Sequence, residues 1–309
     1  MKIYPDVQSV RDTFPNLVLT IGSFDGVHRG HQAILARVLE LARASNGLAA
    51  VMTMEPHPRE VFSPDRAPNL LTSAEKKLTL FESLGMDIAF VLRFTHEIAD
   101  LNRQSFVEDI LLAKCGARSL VVGHDFCFGK NAEGNFVYLQ GVAPQYGFTV
   151  EQIPPLRIAG ERVSSTLVRE RLLQGDLDRV AELLGRRYVL AGEIVTGRGM
   201  GKKLGFPTAN IKPHHSAVPA QGVYVAEVIL DGARYAAAVN IGIAPTIRHE
   251  DLTVEAFILD FERDIVGASI EVVFHKRLRS EKKFPSYDAL VEQIDQDVQQ
   301  TRAYFALNT

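Results

Sequence analysis

Between Leu17 and Ile153 apolar runs of strand length alternate with helical patterns, and after Tyr188 that alternation stops. Strand-like runs fall at Leu17–Gly22, Leu48–Met54, Ile88–Leu92, Leu120–Gly123 and Phe148–Ile153. Helical patterns fill the gaps at Ala33–Ala44, Ala74–Leu84 and Gln104–Lys114. Strict alternation of this kind predicts a parallel sheet covered by helices, because a parallel connection must cross over the sheet. Short helices are expected at Leu167–Leu173 and Leu177–Leu184, followed by β-type runs at Tyr188–Val195, Gly222–Leu230, Tyr235–Ile241, Thr253–Phe261 and Ser269–His275. Asp231-Gly232 between two of these runs is a hairpin signal, and the series predicts a small barrel or sandwich. A last helix is expected over Tyr287–Phe305, with Ser286 as its N-cap. The texture places a domain boundary near Gly185–Arg187, and at 309 residues two domains fit the length.

Chemistry concentrates at the end of the first strand, in Gly22-Ser23-Phe24-Asp25-Gly26-Val27-His28-Arg29-Gly30-His31. His28 and His31 stand at or near the first turn of the following helix, where unpaired N–H groups and the positive dipole end attract phosphate oxygens. Gly22, Gly26 and Gly30 permit close approach of backbone to a ligand, and Phe24 and Asp25 lie within the same turn. Imidazoles there can stabilise a polyphosphate whose charge grows as pyrophosphate leaves. The competing readings are a metal pair or a plain polar helix start; the glycines and Asp25 favour phosphate. A glycine-rich stretch, Gly129–Gly141, is expected to be a long mobile loop near this edge.

The remaining composition narrows the classes. A net charge of −3 and the lack of a basic stripe with interleaved aromatics argue against nucleic acid. The first ten residues have no apolar h-region and no run approaches membrane-spanning length, so a cytoplasmic protein is expected. Cys115 and Cys127 form no metal-type spacing and are expected to pack as small apolar residues. Nothing in the sequence indicates an oligomer.

The Gly22–His31 turn resembles the HxGH signature of the nucleotidylyltransferase superfamily. It is followed in order by Glu55-Pro56-His57-Pro58, Gly123–Gly129, Val163–Arg169, Gly205-Phe206-Pro207-Thr208-Ala209-Asn210, Asn240-Ile241-Gly242 with Pro245-Thr246, and Val254-Glu255. This ordered set, spanning nearly the whole chain, resembles the prokaryotic bifunctional riboflavin kinase/FMN adenylyltransferase family, also called FAD synthetase. The resemblance implies a mixed α/β chain. Residues 1–185 would form an N-terminal Rossmann-like nucleotidylyltransferase domain; residues 186–309 would form a C-terminal six-stranded β-barrel riboflavin kinase domain with a terminal α-helix. It implies ATP as co-substrate and Mg²⁺ as cofactor, with riboflavin, FMN, FAD, ADP and pyrophosphate as the other small molecules. In the first domain it implies that His28 and His31 hold ATP phosphates and that Arg169 joins them in catalysis. Ser164, Ser165 and Thr166 would bind from the far side of the site, and Asp125 would sit near the flavin phosphate.

In the second half, Gly197–Gly205 invites a P-loop reading, which fails because Thr196 stands where glycine is required and Lys203 follows Lys202. Gly197, Lys202 and Gly205 still offer flexible backbone and a cation for phosphates. Thr208 and Asn210, two apart on an extended segment, face one side, where a hydroxyl and an amide oxygen suit a hard cation. The alternative there is an ordinary turn after Pro207, and the resemblance favours Mg²⁺. Glu255 shares a strand face with Phe257 and is either a paired structural carboxylate or a base. By resemblance it takes the proton of the ribityl 5′-hydroxyl, with Pro207 and Asn240 among the binding residues. The chain departs from the family pattern at Met54, Ala244, Phe257 and Val266, where phenylalanine, arginine, histidine and tyrosine are usual. Three of these fall in the kinase half, so a monofunctional adenylyltransferase with a barrel that only binds flavin stays open. A different phosphate acceptor also stays open, although it leaves the second half unexplained.

Overall fold

The computed structural model describes residues 1–197, 199, 201, 204–245 and 250–308, without the side chains of 244, 245, 250, 251 and 308. Its contacts divide the chain into two units, one of Met1–Pro68 with Ala74–Ser165, the other of Asn69–Ser73 with Thr166–Thr309.

The first unit is built on β1 (Lys2–Tyr4), β2 (Leu17–Ile21), β3 (Ala49–Glu55), β4 (Ile88–Arg93), β5 (Ala117–Gly123) and β6 (Thr149–Ile153). These make one sheet in the order β1-β4-β3-β2-β5-β6 with every pair parallel. Alternate residues feed two cores. Leu17, Leu19, Met52, Phe90 and Leu120 go to one face, and Val18, Val51, Ala89 and Val121 to the other. Helix α1 (Arg29–Ala44) buries Leu35, Val38 and Ala42, while α2 (Ala74–Ser83) buries Phe81, both in the second core. Helix α3 (Phe106–Lys114), wound as a π-helix, and α4 (Phe136–Tyr146) cover the first. Strand order reverses at β2, whose neighbours are β3 and β5, so the carboxyl end of β2 is a topological switch point where such sheets bind ligands.

Two expectations for this unit need correction, and one strand was not expected. Gly129–Gly141 is no long loop. Cys127–Phe128 pairs with Gly134–Asn135, and α4 begins at Phe136 with Asn135 capping it. Gly141 and Pro144 concealed that helix; burial of Leu139 and Ala143 in the core outweighs their poor helix propensity. Cys115 is buried as expected, but Cys127 is exposed on the hairpin. Strand β1 was not foreseen, being three residues long with no pattern of its own.

The second unit carries all but the first residue of α5 (Ser165–Gln174), and α6 (Leu177–Leu184). Six strands follow: β7 (Val189–Val195), β8 (Ala209–Pro213), β9 (Gly222–Leu230), β10 (Ala233–Pro245), β11 (Glu250–Ile258) and β12 (Ser269–Arg279). They close into a barrel in the order β7-β8-β11-β10-β9-β12, all antiparallel. Asp231 and Gly232, at φ 51° and 79°, make the expected tight hairpin between β9 and β10. Helix α7 (Tyr287–Asn308) closes the chain; Ser286 Oγ accepts from Ala289 N at 3.2 Å, the cap the sequence predicts. Within this unit Asn69–Ser73 is stitched to residues 215–217. Leu70 N donates to Ser216 Oγ at 2.9 Å, and Leu70 O accepts from Ala217 N at 3.0 Å.

Candidate active sites

At the end of β2 the chain makes a turn that few sequences tolerate. Phe24, Gly26 and Val27 adopt positive φ values of 50°, 81° and 41°. For a β-branched residue this is an outlier, costing about 1–3 kcal/mol. Phe24 and Val27 are both buried, which returns roughly 1.5–3 kcal/mol each. The strained turn is thus held by its own side chains, and it delivers His28 to the N-cap of α1. There His28 Nδ1 accepts from His31 N at 3.2 Å. The two imidazoles stack with centroids 3.6 Å apart and planes at 15°. With Nδ1 accepting, neutral His28 carries its proton on Nε2, where it can donate to a ligand.

Gly30 sits against this stack: a Cβ there would meet the His28 ring at 3.1 Å and Val163 O at 3.5 Å. Gly22 is similarly close, with the Phe24 ring 3.2 Å from a Cβ position. His31 Nδ1 is buried and has no hydrogen-bond partner among the described residues, an orphaned polar atom at a helix N-terminus. Burial, then the neighbouring His28 and Lys77, holds His31 well below the usual imidazole range, so it is neutral at physiological pH.

Ser165 Oγ donates to the carbonyl of the buried Asp25 at 2.9 Å, which brings the Val163–Ser165 segment to the turn. Ser164 precedes it in the same segment. Thr166 and Arg169 continue along α5 in the second unit, where Arg169 Nε donates to Asn69 O at 2.6 Å. Asp125 lies just beyond β5, exposed, and pairs with Arg162 at 2.5 Å. Two members of this neighbourhood escaped the sequence reading, Arg162 and Lys77. The only signal for Lys77 was a lysine one helical turn before the core residue Phe81.

In the second unit the register places Asn210, Glu255 and Asn240 directly opposite one another on β8, β11 and β10, with Val223 of β9 next in line. Opposite residues on neighbouring strands share a face, so these form one row around the barrel wall. Val254, Ala256 and Ile258 point into the barrel, which leaves Glu255 and Phe257 on the other face. That face meets α7 across a cavity of about 320 Å³. Thr208, Asn240 and Glu255 supply polar groups to its wall, with Phe206, Phe257 and Phe284 among the apolar ones. Phe257, where the resemblance led one to expect histidine, makes an edge contact with Phe206 at 5.4 Å. Val266 is exposed and does not line the cavity. Arg279 and Asp297, also in the wall, form a bidentate pair at 2.7–3.1 Å; Asp297 is an acid on the apolar face of α7 that the sequence reading passed over.

The glycine-rich segment before β8 lies close over these groups. A Cβ at Gly197 would overlap the Asn210 amide, and one at Gly201 would meet Thr208 Oγ1 at 3.0 Å. Gly205 turns with φ 87°, and exposed Pro207 leads into Thr208. Lys202 and Thr246 lie outside the described residues, as does the side chain of Ala244. No helix of the described residues is long and apolar enough to cross a membrane.

The family model described as FAD synthetase matches residues 11–167, and the one described as riboflavin kinase matches residues 184–305. A bifunctional riboflavin kinase/FMN adenylyltransferase of Pseudomonas fluorescens is 39% identical over 307 residues, covering 99% of this chain and 98% of that protein. Proteins of the same description from Escherichia coli K12 and Listeria monocytogenes are 39% and 35% identical, each covering 94% of this chain and 93% of its own. A crystal structure described as a macrolide-efflux protein from Streptococcus pneumoniae shares the fold, with a TM-score of 0.84 at 27% identity over 97% of this chain and 98% of that one. The efflux description belongs to that protein; what carries over is the fold.

Proposed function

The chain belongs to the bifunctional riboflavin kinase/FMN adenylyltransferase family and makes FMN and then FAD, and from that premise we propose how its residues divide the two reactions. One set of groups gathers at the start of α1 and the other on the barrel wall, and the observation that supports the division is the contrast between them. The first presents two stacked imidazoles at a helix start; the second presents a carboxylate beside two amides on an apolar wall. We place the boundary between the activities at residues 185 and 186, supported by the second family match beginning at 184. Both reactions consume ATP, and we assign the enzyme to the cytoplasm, where ATP is held.

In adenylyl transfer a phosphate oxygen of FMN attacks the α-phosphorus of ATP, and pyrophosphate leaves. The attacking oxygen needs no base, so positioning and charge stabilisation supply the rate. His28 Nε2–H and the imidazole of His31 hold the ATP phosphates, with Gly22, Phe24, Asp25, Gly26 and Gly30 shaping the turn around them. Ser164, Ser165, Thr166 and Arg169 bind ATP, and Asp125 lies beside the flavin phosphate. The support for Ser165 is its bond to Asp25; that for Arg169 is its place in the motif, its Nε donating to Asn69 O.

In the kinase reaction the ribityl 5′-oxygen attacks the γ-phosphorus, ADP leaves, and Glu255 accepts the hydroxyl proton. Thr208 and Asn210 offer two neutral oxygen donors, which fits a Mg²⁺ that takes its remaining ligands from ATP and water rather than from a protein cage. When bound, that ion would neutralise charge on the transferred phosphoryl group. Gly197, Lys202, Gly205, Pro207 and Asn240 complete the binding set, and the Phe206 and Phe257 rings suit a flat flavin.

The purified chain given ATP and Mg²⁺ is expected to convert riboflavin through FMN to FAD, measured by resolving the flavins chromatographically. Glu255→Gln is expected to abolish FMN formation while FAD still forms from supplied FMN. Loss of both activities in a folded variant would count against this assignment.

A further inference from the structure

Lys77 is almost wholly buried, with 6% of its surface exposed, yet it carries a charge into the first unit's core. Its Nζ donates to the Glu55 carboxylate at 2.6 Å and to the Ser23 carbonyl at 3.1 Å. The same carbonyl accepts from Thr53 Oγ1 at 3.3 Å. One turn further along α2, Phe81 packs edge-on against Phe24 at 5.6 Å, and Phe24 in turn packs against His31 at 5.0 Å. Helix α2 therefore grips the Ser23–His31 turn twice, by a charged hydrogen bond to its backbone and by a ring against its strained phenylalanine. Glu55 is itself fixed at the end of β3. The corner that follows is closed by His57, whose Nδ1 accepts from Arg59 N at 3.2 Å while Glu60 accepts from His57 N at 2.8 Å.

A buried ion pair is a poor way to gain stability, since an apolar pair of similar volume commonly does as well. What an apolar residue cannot do is hold the Ser23 carbonyl or place a positive charge beside the histidine stack. We propose that Lys77, held by Glu55, is a positioning residue of the adenylyl-transfer centre that fixes the Ser23–His31 turn and sets a positive charge beside its histidines. The proposal rests on the placement of those phosphates at His28 and His31. The titratable and charged groups that act on His31 are the stacked His28 and, from α2, Lys77, whose own partner is Glu55 at the end of β3. Two effects follow. Removing the ammonium frees the turn, and it also relieves a like-charge repulsion, so His31 protonates at a higher pH. Removing the carboxylate leaves the ammonium uncompensated, so His31 protonates at a lower pH.

The test is the rate of FAD formation from FMN and ATP against pH for the full chain and its Lys77→Met, Glu55→Gln and His31→Gln variants. FMN formation from riboflavin serves as a control. Lys77→Met is expected to lower kcat for FAD about 100-fold, the scale of an ångström-sized misplacement. It should also move the acid limb of the profile to higher pH while FMN formation holds. Glu55→Gln is expected to move that limb to lower pH. Opposite shifts are a signature that a purely structural pair would not give. Unshifted limbs in both variants overturn the proposal. If Lys77→Met does not fold, the Glu55→Gln shift alone decides. If His31→Gln keeps the wild-type rate and limb, the histidine placement has failed and the proposal fails with it. If His31→Gln is impaired while both partners behave as wild type, only the role of Lys77 is lost.

Discussion

Gly30 and Gly197 are single atoms short of a clash, and each guards a different chemistry. A methyl at Gly30 presses on the His28 ring; one at Gly197 enters the space of the Asn210 amide. Gly30→Ala is expected to reduce FAD formation from FMN at least about 10-fold with FMN formation intact, and Gly197→Ala to do the reverse. Parallel assays of both steps on both variants check this, and equal losses in each would show that the two sets are not separate. These glycines were readable in the sequence because a motif surrounds each. Lys77 and Asp297 were not. Each is a charged residue on an otherwise apolar helix face, and such a residue becomes informative only when its partner, Glu55 or Arg279, is seen across the fold.

At the scale of elements, α7 forms one wall of the cavity, contributing Leu290, Ile294, Asp297 and Val298. Its far end is docked on His275 of β12, whose ring meets Tyr304 at 5.6 Å and Phe305 at 5.2 Å. His275 Nε2 bonds Glu227 at 2.8 Å, with Arg187 and Arg234 nearby. Burial pulls the His275 imidazole below its ordinary range, and the Glu227 hydrogen bond only partly opposes this. A folded-state value below the unfolded one means that the stabilisation is present above about pH 6.5 and is lost as pH falls through the folded value. The thermal unfolding midpoint of the wild type should therefore fall on acidification more than that of His275→Gln; equal slopes would remove this docking contact from the account. Elements with clean periodicity, such as α1 and the barrel strands, were legible in advance. The exceptions were α4, where Gly141 and Pro144 masked a helix made by packing, and β1, too short to show a period.

For the whole molecule, the boundary proposed at 185 and 186 follows the change of texture in the sequence, but the second unit also holds α5, α6 and Asn69–Ser73. A fragment of residues 186–309 would lose the Leu70 bonds to Ser216 and Ala217 and the buried Val180, Leu183 and Leu184 of α6. Its riboflavin kinase activity is expected to fail at a lower temperature than that of the intact chain, measured as the midpoint of heat inactivation; an equal midpoint would show that those segments contribute nothing to the barrel. The change of texture at Tyr188 marked where strands take over, whereas a five-residue loan from far upstream leaves no pattern in a linear reading.

That loan has a consequence for ancestry. Two modules joined by a simple linker can be parted by a single break in their gene and go on as separate proteins. Here one break cannot return residues 69–73 to the barrel that uses them, so a lineage that divided this chain would first have to evolve a substitute for the borrowed strip.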